Sequence, residues 1–170
     1  ILMKILAIDP GYERLGIAVI EKSPKQKEVL VYSTCVQTPK SLPHSARLLK
    51  IAEEVRKVIE EFEPEAFAIE TLFLMNNQKT VMPVAEARGA VLVEAARAGL
   101  PVFEYSPLQI KVAVTGYGKS DKSQVTEMVK KLIALPEGKR LDDEYDAIAV
   151  GLTCLASEKH NNPAPNRLNT

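Results

Sequence analysis

The chain has 170 residues, with 22 basic and 22 acidic side chains, 46% hydrophobic and 26% charged residues. This suits one soluble domain with its own core. No run reaches the ~18 apolar residues of a membrane span, no basic-then-apolar leader opens the chain, and the two His and two Cys fall in no metal-ligand spacing, which speaks against a His/Cys metal centre. Cys35 and Cys154 read as buried free thiols in a reducing cytoplasm, and His44 and His160 as loop residues.

Residues 4–9 form an apolar run that ends on Asp9 and turns at once through Pro10 and Gly11, the pattern of a buried strand. Residues 16–20 and 28–37 are two further strands, and the three form an antiparallel meander. A loop with two prolines follows at 38–43. Residues 45–62 repeat apolar side chains at helical spacing and predict a helix that Pro64 ends. Residues 66–70 (AFAIE) are a short strand ending on Glu70, so strand, helix and strand suggest parallel pairing in a sheet covered by helices. Residues 72–80 read as an irregular connection. Residues 81–98 read as a helix with a small apolar face (Ala85, Gly89, Ala90, Val93), closed by Gly99 and Pro101. A strand at 102–105 and a short helix at 107–114 follow. Residues 116–122 form a flexible basic loop, and 123–135 a helix capped by Ser120 or Asp121. A last helix runs from Asp142 or Asp143 to about 157. The tail at 158–170, rich in Asn and Pro, is expected to be disordered beyond a single domain over 3–157.

Net charge is zero, but its distribution is uneven. Over 76–140, ten Lys and Arg stand against six Asp and Glu, whereas over 45–65 the balance is four against six. One face can therefore take a polyanion. Four acids gain meaning together. Asp9 alone is a turn residue, Glu70 alone a solvated strand end, and Asp143 with Asp146 a helix N-terminal pair three residues apart on one face. If the two strands are neighbours, the helix can close the group from above. Clustered carboxylates repel unless a cation lies between them, and oxygen donors select Mg²⁺ or Mn²⁺. Two such ions activate a water and stabilise a departing 3′ oxygen, which is phosphodiester hydrolysis without His or Cys.

The ordered set Ile8-Asp9-Pro10-Gly11, Phe67-Ala68-Ile69-Glu70, Glu86-Ala87-Arg88-Gly89-Ala90, Pro101-Val102-Phe103-Glu104-Tyr105, residues 116–125 (GYGKSDKSQV) and Asp143-Glu144-Tyr145-Asp146-Ala147 resembles the RuvC family of Holliday junction endonucleases. The likeness runs from about 3 to 157. It implies an α/β, RNase H-like fold with a five-stranded mixed sheet and helices on both faces. It also implies a homodimer that cuts four-way DNA junctions by paired nicks with Mg²⁺ or Mn²⁺, two ions per site, and a link to the branch-migration proteins RuvA and RuvB. The family's metal ligands fall on Asp9, Glu70, Asp143 and Asp146, its aromatic near the junction on Phe73, and its basic positions near the site on Lys111 and Lys122, with Lys122 also catalytic. Lys79, Arg88, Tyr117 and Lys119 are further candidate DNA contacts. Glu86 and Ser120 depart from the pattern, where Gln and Ala are expected.

Physically, an exposed Phe73 stacks on unpaired bases for about 1–3 kcal/mol, or else packs under its loop. The two lysines neutralise phosphate or a transition state, or are plain surface lysines. Three alternatives stand beside the leading reading. They are another RNase H-like nuclease acting on RNA-containing duplex, a nucleotide-dependent kinase-like fold built on Asp9-Pro10-Gly11, and a junction-binding module without catalysis. The loop at 116–125 speaks against the first, the short unrepeated chain against the second, and the complete acid set against the third.

Overall fold

β1 (Met3–Asp9) is the axis of the sheet. The computed structural model describes residues 3–72 and 78–158, without the side chains of 78 and 79. β1 pairs antiparallel with β2 (Arg14–Lys22), which pairs antiparallel with β3 (Val29–Gln37). On its other edge β1 pairs parallel with β4 (Ala66–Glu70), and β4 with β5 (Val102–Tyr105), giving the order β3-β2-β1-β4-β5.

Both sheet faces are covered, so the central strands are apolar at nearly every position. Leu6 and Ile8 of β1, Ile17 and Val19 of β2, and Phe67 and Ile69 of β4 pack under α1 (His44–Phe62) and α2 (Gln78–Arg97). Ile5 and Ala7, Ala18 and Ile20, and Ala66 and Ala68 pack under α3 (Pro107–Thr115), α4 (Lys122–Leu132) and α5 (Asp142–Glu158). Residues of one parity thus face α5, which fixes the side on which each strand's last residue points. The mixed sheet with helices on both faces is the architecture expected from the sequence.

Helix ends follow local chemistry. Ser106 and Asp121 each make a reciprocal capping box, with Gln109 and Gln124, at the starts of α3 and α4. α1 ends where Glu63 adopts a left-handed conformation just before Pro64.

Several expectations need correction. The connection at 72–80 is shorter than expected, because α2 begins at Gln78 and carries Pro83 inside it. α4 stops at Leu132. Ala134 instead makes a ladder contact with the edge of β3, its N–H donating to Glu28 O at 2.9 Å. Pro136 disfavours helical geometry for the residue before it. His44 is the first residue of α1, bonded to the Tyr12 hydroxyl at 2.7 Å and to Glu86 at 2.7 Å. Cys154 is buried, but Cys35 is only half-buried, because it lies on a strand beside the site described below. Glu158 belongs to α5, not to the tail. The basic loop is a pinned turn. Ser120 is buried, shares a 2.6 Å hydrogen bond with the Thr115 hydroxyl and donates to Tyr117 O at 2.7 Å.

Candidate active site

Ile8 and Ile69 are register partners in the parallel β1–β4 pair. Asp9 and Glu70, one residue further on, therefore stand abreast at the carboxyl ends of adjoining strands. They share parity with Ala7 and Ala68, so both point to the α5 side.

α5 reaches them because two glycines let it close on the sheet. Gly16 is the β2 partner of Asp9. A Cβ on Gly16 would lie 2.0 Å from the carbonyl oxygen of Asp143 and 3.2 Å from Asp9 Cβ. Lower down, a Cβ on Gly151 would lie 2.6 Å from Ile20 Cδ1 and 3.1 Å from Ala7 Cβ. Any other residue at Gly16 would push the first turn of α5 away from Asp9. That turn is held from β3 as well. Ser33 donates to Glu144 Oε1 at 2.6 Å, and the Cys35 thiol lies 3.7 Å from Asp143 Oδ2. Glu144 Oε2 accepts the Leu141 N–H at 2.8 Å and so closes the helix start.

Two cations sit among these acids. Lys122, at the start of α4, reaches Asp146 Oδ2 at 2.8 Å and Asp142 Oδ2 at 3.0 Å. Arg14, at the start of β2, donates to Asp142 Oδ1 at 2.7 Å and pairs with Asp143. Glu70, Asp146, Lys111 and Lys122 line a cavity of about 240 Å³ whose apolar lining includes Ile110, Val125 and Ala149.

The electrostatics are those of crowded acids. Burial, then Asp146, Glu70 and Asp143, hold the Asp9 carboxyl well above the usual range. Burial and then Asp146 push Glu70 up to about 7, against the pull of Lys111 and Lys122. Burial raises Asp146 although its bond to Lys122 opposes this. Exposed Asp142 moves the other way, down to about 2, chiefly through its hydrogen bond from Lys122. For Lys122, burial works against the charge, but the bonds to Asp146 and Asp142 outweigh it and the ammonium is strengthened.

The donors are all hard oxygens whose repulsion a divalent cation would relieve, so in kind they fit Mg²⁺ or Mn²⁺. Among the described residues, however, no three acids stand together in the arrangement that encloses an ion. Here Arg14 and Lys122 supply the counter-charge, Arg14 paired with Asp143 and Lys122 with Asp146.

Of the other residues singled out from the sequence, Lys111 and Lys122 line the cavity. Tyr117 and Lys119 are exposed in the α3–α4 turn. Arg88 is engaged behind the site, paired with Glu104 and 3.4 Å from the Glu70 carbonyl. Phe73 and the Lys79 side chain lie outside the described residues. Three contributors escaped the sequence reading. Arg14 follows the first turn by too short a step to show any periodicity. In the sequence Asp142 shows only as a helix start, and Gly16 only as a strand residue. A basic residue five positions after a strand-end acid was the available signal for Arg14.

A five-stranded mixed sheet, ordered β3-β2-β1-β4-β5 with helices on both faces, defines an RNase H-like protein. The yeast mitochondrial Holliday junction resolvase Ydc2, 16% identical over 93% of this chain and 81% of its own, shares that fold with a TM-score of 0.67. Residues 5–154 match the family model described as crossover junction endodeoxyribonuclease RuvC. The RuvC of Thermosipho melanesiensis is 45% identical over 92% of this chain and 98% of its own length. The structure of Thermus thermophilus RuvC in complex with a Holliday junction substrate is 35% identical, covers 93% of this chain and 96% of that one, and has a TM-score of 0.86. The chain belongs to the RuvC family of crossover junction endodeoxyribonucleases.

Proposed function

We propose that this protein resolves four-way DNA junctions in homologous recombination and repair, as a homodimer that places symmetric nicks by metal-dependent phosphodiester hydrolysis. The observation that carries the reading is the meeting of Asp9 and Glu70, abreast on β1 and β4, with the first turn of α5 that bears Asp143 and Asp146. The relative from Thermus thermophilus, similar over nearly its whole length, takes a Holliday junction as substrate. Nucleases of this family are metal-dependent in general.

Asp9, Glu70, Asp143 and Asp146 are the groups that would hold Mg²⁺ or Mn²⁺, two ions when DNA is bound. The ions would supply an activated water and charge stabilisation at the departing 3′ oxygen. The protein's own contribution is positional and electrostatic. β1 and β4 fix two carboxylates in register, α5 adds two, and Glu70 and Asp146 face a cavity whose other walls are partly apolar. Lys111 and Lys122, on the cavity wall, neutralise the phosphate as its charge grows during attack. Lys119 and Tyr117 lie exposed beside the cavity-lining helices, where a DNA backbone would pass. Phe73, by family likeness, and Lys79 are further proposed DNA contacts. Arg88, already paired with Glu104, serves DNA only if that pair opens. No helix among the described residues is long and apolar enough to cross a membrane. A place in the cytoplasm with the branch-migration proteins RuvA and RuvB completes the reading.

The test is a synthetic four-way junction with and without Mg²⁺, beside linear duplex. Asp9→Asn, Glu70→Gln and Asp146→Asn are each expected to abolish cutting while junction binding persists in gel shifts. Undiminished cutting by any of the three rejects the mechanism. Preference for an RNA-containing duplex would instead favour a different nuclease of the same fold.

A further inference from the structure

Arg14 and Asp142 stand at the rim of the carboxylate pocket, and neither belongs to the ligand set proposed above. Asp142 is shared between two cations. Its Oδ1 accepts from Arg14 at 2.7 Å and its Oδ2 from Lys122 at 3.0 Å. Each cation reaches on from Asp142 to one inner acid, Arg14 to Asp143 and Lys122 to Asp146. The inner acids are sheltered, with side chains 18% and 27% exposed, whereas Asp142 is 56% exposed and open to solvent.

An incoming divalent ion needs the oxygens of Asp143 and Asp146 that the two cations now hold. Driving a guanidinium and an ammonium fully into solvent would cost ion affinity. Asp142 offers them a nearer resting place to which both are already bonded. We propose that Asp142 and Arg14 are positioning residues that set the pocket's affinity for its divalent ion. Arg14 competes with the ion for Asp143, and Asp142 is the acceptor on which Arg14 and Lys122 stay when the ion enters. The inference rests on the reading of Asp9, Glu70, Asp143 and Asp146 as ligands.

The readout is binding of Mn²⁺ alone to the full chain, stripped with chelator and without DNA, followed by the paramagnetic resonance signal of free Mn²⁺. Arg14→Gln is expected to tighten binding roughly three- to tenfold, because a competing positive charge is removed. Asp142→Asn is expected to weaken it by about tenfold, the usual scale for a group that supports metal ligands. Arg14→Lys, which keeps the charge, should stay close to the wild type. Simple through-space charge would make the first two effects multiply in the double variant. A shared acceptor does not, because with Arg14 gone Asp142 has one cation fewer to hold. The loss caused by Asp142→Asn should then shrink to about half or less on a logarithmic scale. Multiplying effects, or unchanged affinities in the variants of a wild type that binds Mn²⁺, overturn this inference and leave the ligand assignment standing. A wild type that binds no Mn²⁺ overturns both.

Discussion

Asp9 and Glu70 are carboxylates that the fold holds against their preference for charge. Burial and three acidic neighbours act on Asp9, and burial with Asp146 acts on Glu70, so each binds a proton more tightly than in an unfolded chain. The sign of the consequence is fixed by linkage. A group raised from 4.5 to about 7 carries more proton in the folded state across that window. Stability of the metal-free protein therefore falls as pH rises from about 4.5 to about 7 and stays reduced above it. Glu70→Gln removes that dependence. In chelator at pH 8 the variant should melt at least about 2–4 °C above the wild type, the shift that about 1 kcal/mol produces in a domain of this size. At pH 4.5 the two should converge. Calorimetry at both pH values decides the matter, and a variant that melts lower at pH 8 would show that Glu70 is not under strain. The two departures from the family pattern find partners within this chain. Ser120 is bonded to Thr115 and Tyr117, and Glu86 is paired with His44 across α2 and α1.

At the scale of elements, the site depends on how closely α5 lies on the sheet. The Gly16 contact leaves no room for a methyl, because the neighbouring atom is a backbone carbonyl that cannot turn aside. Gly16→Ala is expected to destabilise by about 1–3 kcal/mol in urea titration. It should also lower cleavage in chains that remain folded, because Asp143 and Asp146 move away from Asp9. Wild-type cleavage by a folded Gly16→Ala protein would mean that the acids need not converge so closely. This contact also marks where the sequence stops being informative. Runs such as residues 4–9 and 66–70 announce buried strands by themselves, and the spacing of Leu48, Val55 and Val58 announces α1. The acids could be gathered by their strand-end and helix-start positions. What periodicity cannot carry is a contact made by the absence of a side chain, or an ion pair between residues 128 apart such as Arg14 and Asp142. Gly16 and Arg14 acquire their roles only when β2 is folded against α5. Ends of elements were hidden for a similar reason. The stop of α4 at Leu132 is set in part by a ladder bond from Ala134 to the distant edge of β3.

For the whole molecule, the homodimer proposed above is expected to form through α2, on the sheet face opposite α5. α2 is fastened to α1 by Glu94, whose side chain is 5% exposed and accepts Arg56 Nε and Nη2 at 2.9 Å each. Its outer side is left apolar and small. Met82, Ala85, Gly89, Val93 and Ala96 are all exposed and recur at steps of three and four. Met82 and Val93 are more than half exposed, and a Cβ on Gly89 would meet nothing within 4 Å. A stripe of this kind lets two helices approach closely about a two-fold axis, and that axis would fix the distance between two pockets. Val93→Glu places a charge in the stripe without touching the core. We expect it to keep the wild-type melting profile measured at low concentration, yet sediment as a monomer where the wild type is dimeric. On a plasmid that extrudes a four-way junction, paired nicks give linear product and uncoupled nicks give open circles. The variant should shift the product from linear to open circle, because each pocket keeps its acids but loses its partner's timing. A Val93→Glu protein that remains dimeric, or that still linearises the plasmid, would remove α2 from the dimer contact.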